Sequence, residues 1–183
     1  MSLTIPEIVS LLNGQGSAQY GDEAISQLEH ALQCACLAER AEENPATIVA
    51  SLLHDLGHMI AAQKAGLIEH DTTKDDLHQY IALPFLRGLF PDAVLEPIRL
   101  HVDAKRYLCA INSNYWPSLS LASKHSLEQQ GGIFDDHGVV SFLQQPFSGE
   151  AIRLRRYDDL AKNPDFKAPD LAHFEHYLIQ VAV

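Results

Sequence analysis

The sequence predicts an all-α protein, organised as a single domain over residues 1–183. Two observations lead to this fold class. Apolar residues recur three and four positions apart between residues that start and stop helices, and no segment alternates cleanly between apolar and polar residues as a half-buried strand would. Apolar residues also make up 46% of the chain, which is enough for a compact core. We expect about eight helices.

In the first third of the chain, each helix is predicted from a side chain that can cap it or from a proline that fits its first turn. The predicted helices start at Thr4 with Pro6 in the first turn, at Asp22 or Ser26 with an end near Ala41, and at Asn44–Pro45 with an end near Lys64 and Gly66.

The rest of the chain follows the same rules, with glycine and proline marking the ends of helices. One helix is predicted to start at Thr73 or Lys74, to carry His78 and to bend or break at Pro84, and the next runs from Pro91 to Asn112. A further helix starts at Ser118 or Ser120 and ends at Gly131–Gly132, and another starts at Asp135 or Asp136 and ends before Pro146. The last two predicted helices start at Ser148 and at Asp170.

Composition limits the classes of partner. The formal net charge of −11 argues against general nucleic-acid binding, which needs a basic face. No apolar run approaches the roughly 20 residues that span a bilayer, and no basic region precedes the first apolar stretch as in a secretory signal. We therefore expect a cytoplasmic protein, a monomer or a small homo-oligomer, without a nucleic-acid or membrane partner.

The cysteines predict reduced thiols. Their number is odd and no C-x-x-C motif occurs, so disulfides are not expected. Cys34, Cys36 and Cys109 are interpreted as small core residues.

The segment SLLHDLGHMI, residues 51–60, places polar groups in an otherwise apolar helix. In a continuous helix, His54 and His58 share one face, and Asp55 lies about 100° round from His54. Buried histidine and aspartate side chains need partners. Ordinary hydrogen bonds could satisfy them, but this cluster, in a chain with ten histidines, favours a metal.

Four segments resemble the HD-domain superfamily, and in particular its PhnZ-like branch of phosphonate-cleaving, mixed-valent diiron oxygenases. They are YGDEAISQLEHALQCA, LLHDLGH, LHVDAKRYLCA and LRRYDDLAK, within residues 20–162. Myo-inositol oxygenase is a more distant relative, and similar segments occur in predicted HD phosphohydrolases. The resemblance implies a helical bundle around a central dinuclear metal site.

The resemblance also implies the metal ligands. The first iron would be held by His30, His54, Asp55 and Asp158, with Asp55 bridging to a second iron held by His78 and His101. His70 competes with His78 as a ligand, and Asp159 competes with Asp158.

Further residues match positions that act in catalysis or bind substrate in the resembled oxygenases. Tyr20 would occupy an iron position until substrate displaces it, and Glu23 would move with it. Spacing favours two cations, because Lys105 lies four residues after His101 and Arg155 lies three before Asp158. The implied set of catalytic and phosphonate-binding residues is Tyr20, Glu23, His58, Lys105, Ser123, Ser126 and Arg155.

The resemblance implies an oxygenase that uses two irons, Fe(II) and Fe(III), and O2 as co-substrate to cleave the C–P bond of a small 1-hydroxy-organophosphonate, with release of phosphate. The alternative is a metal-dependent phosphohydrolase that acts on a phosphate ester. No organic cofactor is expected. The remaining histidines are interpreted as structural or surface residues; they include His125, His137, His173 and His176.

Overall fold

The computed structural model describes residues 2–21, 23–65 and 77–183, without the side chains of residues 64 and 65. Within these ranges the chain is helical and contains no strand, so the all-α prediction is confirmed. The helices are α1 (Ile5–Gln15), α2 (Gln27–Arg40), α3 (Pro45–Leu53), α4 (Leu56–Ala65), α5 (His78–Ile81), α6 (Leu83–Leu86), α7 (Asp92–Ile111), α8 (Tyr115–Ser118), α9 (Leu121–Gln129), α10 (Asp136–Leu143), α11 (Ser148–Leu160) and α12 (Leu171–Val181).

Most of the predicted helix starts are confirmed, and the predicted residue lies immediately before the first helical residue in each of them. The confirmed starts are Thr4, Ser26, Asn44, Pro91, Ser120, Asp135 and Asp170. The alternatives Asp22, Thr73 and Lys74, and the predicted stop at Gly66, lie outside the described residues.

The prediction of one continuous helix over residues 45–64 is wrong. Helix α3 ends at Leu53, His54 and Asp55 form a turn, and α4 begins at Leu56. Close packing next to the turn requires a glycine, since a Cβ on Gly57 would lie 2.0 Å from the carbonyl oxygen of His78. The backbone carrying His78 can therefore approach the turn directly.

Smaller differences concern the C-terminal half. Helix α11 is preceded by Phe147 in the left-handed conformation, with φ of 63°, and Ser148 is its first helical residue rather than its cap. The four-residue helix α8 was not predicted. The predicted break at Pro84 occurs two residues earlier, at Ala82, between α5 and α6.

The packing of α3 positions the turn that follows it. Helix α3 is buried along its length and contacts α2, α7, α11 and α12, while α11 packs along α7. The carboxyl end of α3 therefore opens into the middle of the bundle, surrounded by α2, α7 and α11. Among the described helices, none combines the length and apolarity needed to cross a membrane.

Candidate metal centre

Four histidines and two aspartates from five places in the chain meet at the carboxyl end of α3. All six side chains are buried. They are His30 of α2, His54 and Asp55 of the turn, His78 at the start of α5, His101 of α7 and Asp158 of α11.

Asp55 lies between two pairs of histidines and presents a different oxygen to each. Its Oδ2 lies 3.3 Å from Nε2 of His54 and 3.7 Å from Nε2 of His30. Its Oδ1 lies 3.3 Å from Nε2 of His78 and 3.7 Å from Nε2 of His101. A carboxylate placed in this way can bridge two metal ions.

Asp158 belongs to the His30 side of the centre. Its Oδ1 lies 3.5 Å from Nε2 of His30, and its Oδ2 lies 3.9 Å from Nε2 of His54. On the opposite side, the Nε2 atoms of His78 and His101 are 3.0 Å apart. One side of the centre therefore has two histidines, Asp158 and Asp55. The other side has the remaining two histidines and shares Asp55.

Backbone carbonyl groups fix the orientation of three of these rings. The Nδ1–H groups of His30, His54 and His101 donate to the carbonyl oxygens of Ala161, Ser51 and Ile98 at 2.7, 2.9 and 2.7 Å. This directs each Nε2 atom into the centre, which is how metal-binding histidines are commonly held.

Burial and neighbouring charges set the protonation of the histidines. Burial lowers the pKa of His30 to about 4. Burial, together with His78 and His54, also holds the pKa of His101 well below its usual value. Burial acts on His54 in the same direction, but Asp55 outweighs it and raises the pKa of His54 to about 9.

Two buried carboxylate oxygens without a hydrogen bond from the part of the chain that the structure describes fit a metal centre. Asp55 Oδ2 and Asp158 Oδ1 are buried and have no hydrogen-bond partner among the described residues. A buried anionic oxygen without a donor is strongly unfavourable unless a cation compensates it. Imidazole nitrogens and carboxylate oxygens with room for exogenous ligands suit iron, among other transition metals.

Tyr20 and His58 flank the centre. The Tyr20 ring stacks on the His30 ring, with centroids 3.8 Å apart, and burial, followed by the charges of Asp55 and Asp158, raises the pKa of its hydroxyl group. The His58 ring stacks on that of His78 at 4.1 Å. Its Nε2 lies 3.9 Å from Asp55 Oδ1, so His58 reaches the centre although the helix is interrupted before it.

The centre opens into a cavity of about 390 Å³. Lys105 Nζ donates to Ser126 Oγ at 2.8 Å on its wall. Arg155 Nη1 lies 2.7 Å from Asp158 Oδ2, and its Nη2 is 3.5 Å from Ser123 Oγ. The structure thus brings all the proposed substrate-binding side chains to one cavity, next to the metal ligands.

Comparison with known proteins establishes the family. The HD domain family model matches residues 28–142, which include five of the six candidate ligands and exclude Asp158. The chain belongs to the HD-domain family.

Two relatives of the chain are named phosphonate dioxygenases. It is 41% identical over 175 residues to hydroxymethylphosphonate dioxygenase of Gimesia maris, covering 93% of the chain and 84% of the relative. It is 36% identical over 167 residues to 1-hydroxy-2-(trimethylamino)ethylphosphonate dioxygenase (glycine-betaine-forming) of Leisingera caerulea, covering 91% and 84%. The resemblance to the phosphonate-cleaving branch is therefore confirmed.

Lys162 is a third cation in the cavity, and it was not predicted from the sequence. Its Nζ donates to Ser123 Oγ at 2.9 Å and lies 3.9 Å from Asp158 Oδ1 and 4.0 Å from Glu23 Oε1. Lys162 follows Asp158 by four residues, the same spacing that pointed to Lys105 after His101. That spacing could have found it.

Asp159 does not face the centre. It pairs with Arg155 Nη2 and accepts from the Tyr115 hydroxyl group, so the geometry favours Asp158 over Asp159 as a ligand. His70, the alternative to His78, lies outside the described residues. Burial opposes the charge on Arg155, but Asp158 and Asp159 outweigh burial and raise the pKa of Arg155.

Acceptor oxygens line another part of the cavity. Glu23 Oε1, Gln27 Oε1 and Gln130 Oε1 are buried and have no hydrogen-bond partner within the described part of the chain. His125, interpreted from sequence as structural or surface, is an exposed residue that lines the cavity and accepts a hydrogen bond from Gln129 at 2.9 Å.

The cysteines are free and buried, but Cys34 is more than a core residue. Its Sγ lies 3.6 Å from Nε2 of His30, on the metal side of that ring. Cys36, by contrast, packs into the hydrophobic core.

Proposed function

We propose that this HD domain is an O2-dependent diiron oxygenase that cleaves the C–P bond of a small 1-hydroxy-organophosphonate and releases phosphate. The observation that carries the proposal is the position of Asp55, whose two oxygens face two histidine pairs beside a cavity with three cationic side chains. The two named relatives act on hydroxyphosphonates, which favours an oxygenase over a phosphohydrolase.

The donor set divides into two metal positions. The first would be held by His30, His54, Asp158 and Asp55, and the second by His78, His101 and the same Asp55. When bound, a mixed-valent iron pair would supply Lewis acidity toward the substrate oxygens and one-electron chemistry with O2. The residues of the chain supply position, charge and exclusion of water.

The phosphonate would be bound by Lys105, Arg155 and Lys162. A dianion beside buried carboxylates requires charge-assisted donors, and the three cations lie on the cavity wall. The hydroxyl groups of Ser123 and Ser126 already accept from these cations, so they hold the ammonium groups in place before substrate arrives.

Tyr20, Glu23 and His58 would control access to the centre. Tyr20 covers His30, so the ring shields the first metal position from solvent until substrate displaces it. Glu23, paired with Lys162 at 4.0 Å, would move with Tyr20 when Lys162 turns to the phosphonate. His58 can hold or donate a proton at Nε2 toward a substrate oxygen above Asp55.

The partners follow from the same cavity. The acceptor oxygens of Glu23, Gln27 and Gln130 favour a substrate whose far end carries N–H or O–H donors. No organic cofactor is part of the proposal. We also propose a cytoplasmic location, which is supported by three buried, free thiols. The proposed assembly is a monomer or a small homo-oligomer.

Metal analysis combined with EPR spectroscopy tests the proposed centre. Protein purified from iron-supplemented cells should contain two irons per chain and, after partial oxidation, show the signal of a coupled Fe(II)/Fe(III) pair. A protein that instead retains two Mg²⁺ or Mn²⁺ ions and hydrolyses phosphate esters would replace the oxygenase with the phosphohydrolase.

A further inference from the structure

Cys34 adds a sulfur atom to one side of the centre. It lies one helical turn after His30 on α2, and both side chains are fully buried. The atoms His30 Nε2, Cys34 Sγ and His54 Nε2 all lie within 4.8 Å of one another. A single ion could therefore contact all three.

A fourth donor faces the same group. Asp158 is 2% exposed, and its Oδ1 has no hydrogen-bond partner among the described residues. This oxygen lies 3.5 Å from Nε2 of His30. Two imidazoles, one thiolate and one carboxylate oxygen form a set that zinc binds in tetrahedral geometry.

We propose that His30, Cys34, His54 and Asp158 form an alternative ligand set that captures a thiophilic divalent cation, such as Zn²⁺, on the side of the centre that would hold the first iron. Thiolate ligands select soft and borderline metals such as zinc, whereas carboxylate and imidazole alone discriminate less. Binding replaces the Cys34 S–H bond with an S–Zn bond and releases the proton to solvent. Nothing is oxidised or reduced.

Competition between metals follows from this arrangement. The zinc set shares His30, His54 and Asp158 with the proposed iron position, so one ion excludes the other. Zinc has no redox chemistry, and its capture would leave the centre unable to react with O2. Zinc binding by this ligand set does not depend on the identity of the substrate.

Zinc K-edge X-ray absorption on the full-length chain loaded with one equivalent of Zn²⁺ is the direct test. The spectrum should require one sulfur at about 2.3 Å in addition to nitrogen and oxygen at about 2.0–2.2 Å. Cys34→Ser should remove the sulfur contribution and weaken zinc binding by at least about tenfold in a chelator competition, since loss of even an outer-shell partner of a ligand costs that much. Cys36→Ala is the matched control, because Cys36 lies on the same helix but packs into the hydrophobic core. The zinc spectrum of this variant should retain the sulfur contribution.

A zinc spectrum with nitrogen and oxygen alone would overturn the inference, and that measurement on the unaltered chain needs no variant to fold. So would a sulfur that persists in Cys34→Ser. The oxygenase proposal fails separately, if the iron-loaded chain releases no phosphate from hydroxyphosphonates in the presence of O2.

Discussion

Arg155 Nη1 lies 2.7 Å from Asp158 Oδ2, and both side chains are buried. This ion pair joins the proposed phosphonate-binding wall to the proposed metal ligands. Asp158 Oδ2 pairs with Arg155, and its Oδ1 faces His30 in the centre. The substrate and the metals would therefore be positioned by one continuous set of charges.

Removing Arg155 should destabilise the protein as well as weaken substrate binding. Arg155→Ala removes the guanidinium group that pairs with Asp158 and Asp159, and breaking a buried pair costs about 3–5 kcal/mol. We expect a drop of that size in the free energy of unfolding, measured by urea denaturation.

Arg156→Ala is the matched control in the same helix. Arg156 is exposed, so the loss should stay within about 0.5 kcal/mol. Equal losses in the two variants would show that the Arg155 pair has no special role.

Asp55→Ala should abolish dinuclear metal binding. It removes the only described carboxylate whose two oxygens face both histidine pairs. Metal content should fall below two per chain while helical circular dichroism remains. Asp103→Ala, which removes a partly exposed partner of Arg106, should keep both metals. Two tightly bound metals in the Asp55 variant would contradict the bridging role.

Substrate affinity should fall as pH rises through about 7. Burial, reinforced by Arg155, lowers the pKa of Lys105 to about 7, so Lys105 is protonated below that pH and loses its charge above it. The cationic form binds the dianion, and kcat/KM should therefore decline on the alkaline side. Lys105→Arg should move this decline to higher pH, because arginine keeps its charge.

In Lys105→Ala, the decline of kcat/KM above about pH 7 should disappear. Loss of the charge-assisted contact, ~1.5–3 kcal/mol, should weaken phosphonate binding by about tenfold to a hundredfold. Iron content should not change. Lys124→Ala, whose ammonium group lies over Trp116, should behave as the unaltered chain. An unchanged alkaline limb in Lys105→Ala would assign that pH dependence to another group.

Tyr20→Phe should make the resting centre react with O2 more readily. Loss of the hydroxyl group removes the proposed metal contact but keeps the ring on His30. The mixed-valent EPR signal should decay sooner in air without substrate, and substrate should protect it. Equal decay in the unaltered chain and the variant would argue that Tyr20 is a packing residue.

Local chemistry made much of the fold predictable. Caps such as Ser26 and Asp170 act through hydrogen bonds within a few residues, so the sequence carries the whole signal. The turn at His54 and Asp55 escaped prediction because it depends on a contact between Gly57 and the distant backbone of His78, which no local pattern contains.

The same distinction holds for the site. Residues in motifs, such as Asp55, were identified from sequence, and the structure places them together. Cys34 is interpreted from sequence as a small core residue, because free cysteine usually behaves as a small buried apolar side chain. The four-residue spacing on α2 places its sulfur beside His30, but only the tertiary packing brings His54 to the same atoms.

Oxygen-gated phosphate release tests the central claim most directly. Iron-loaded protein is mixed anaerobically with a 1-hydroxyphosphonate, and phosphate is measured before and after O2 is admitted. The account predicts substrate binding without phosphate release under anaerobic conditions, followed by release in proportion to the O2 consumed. Phosphate release from simple phosphomonoesters without O2, at rates above any oxygen-dependent reaction, would contradict the account and favour a phosphohydrolase.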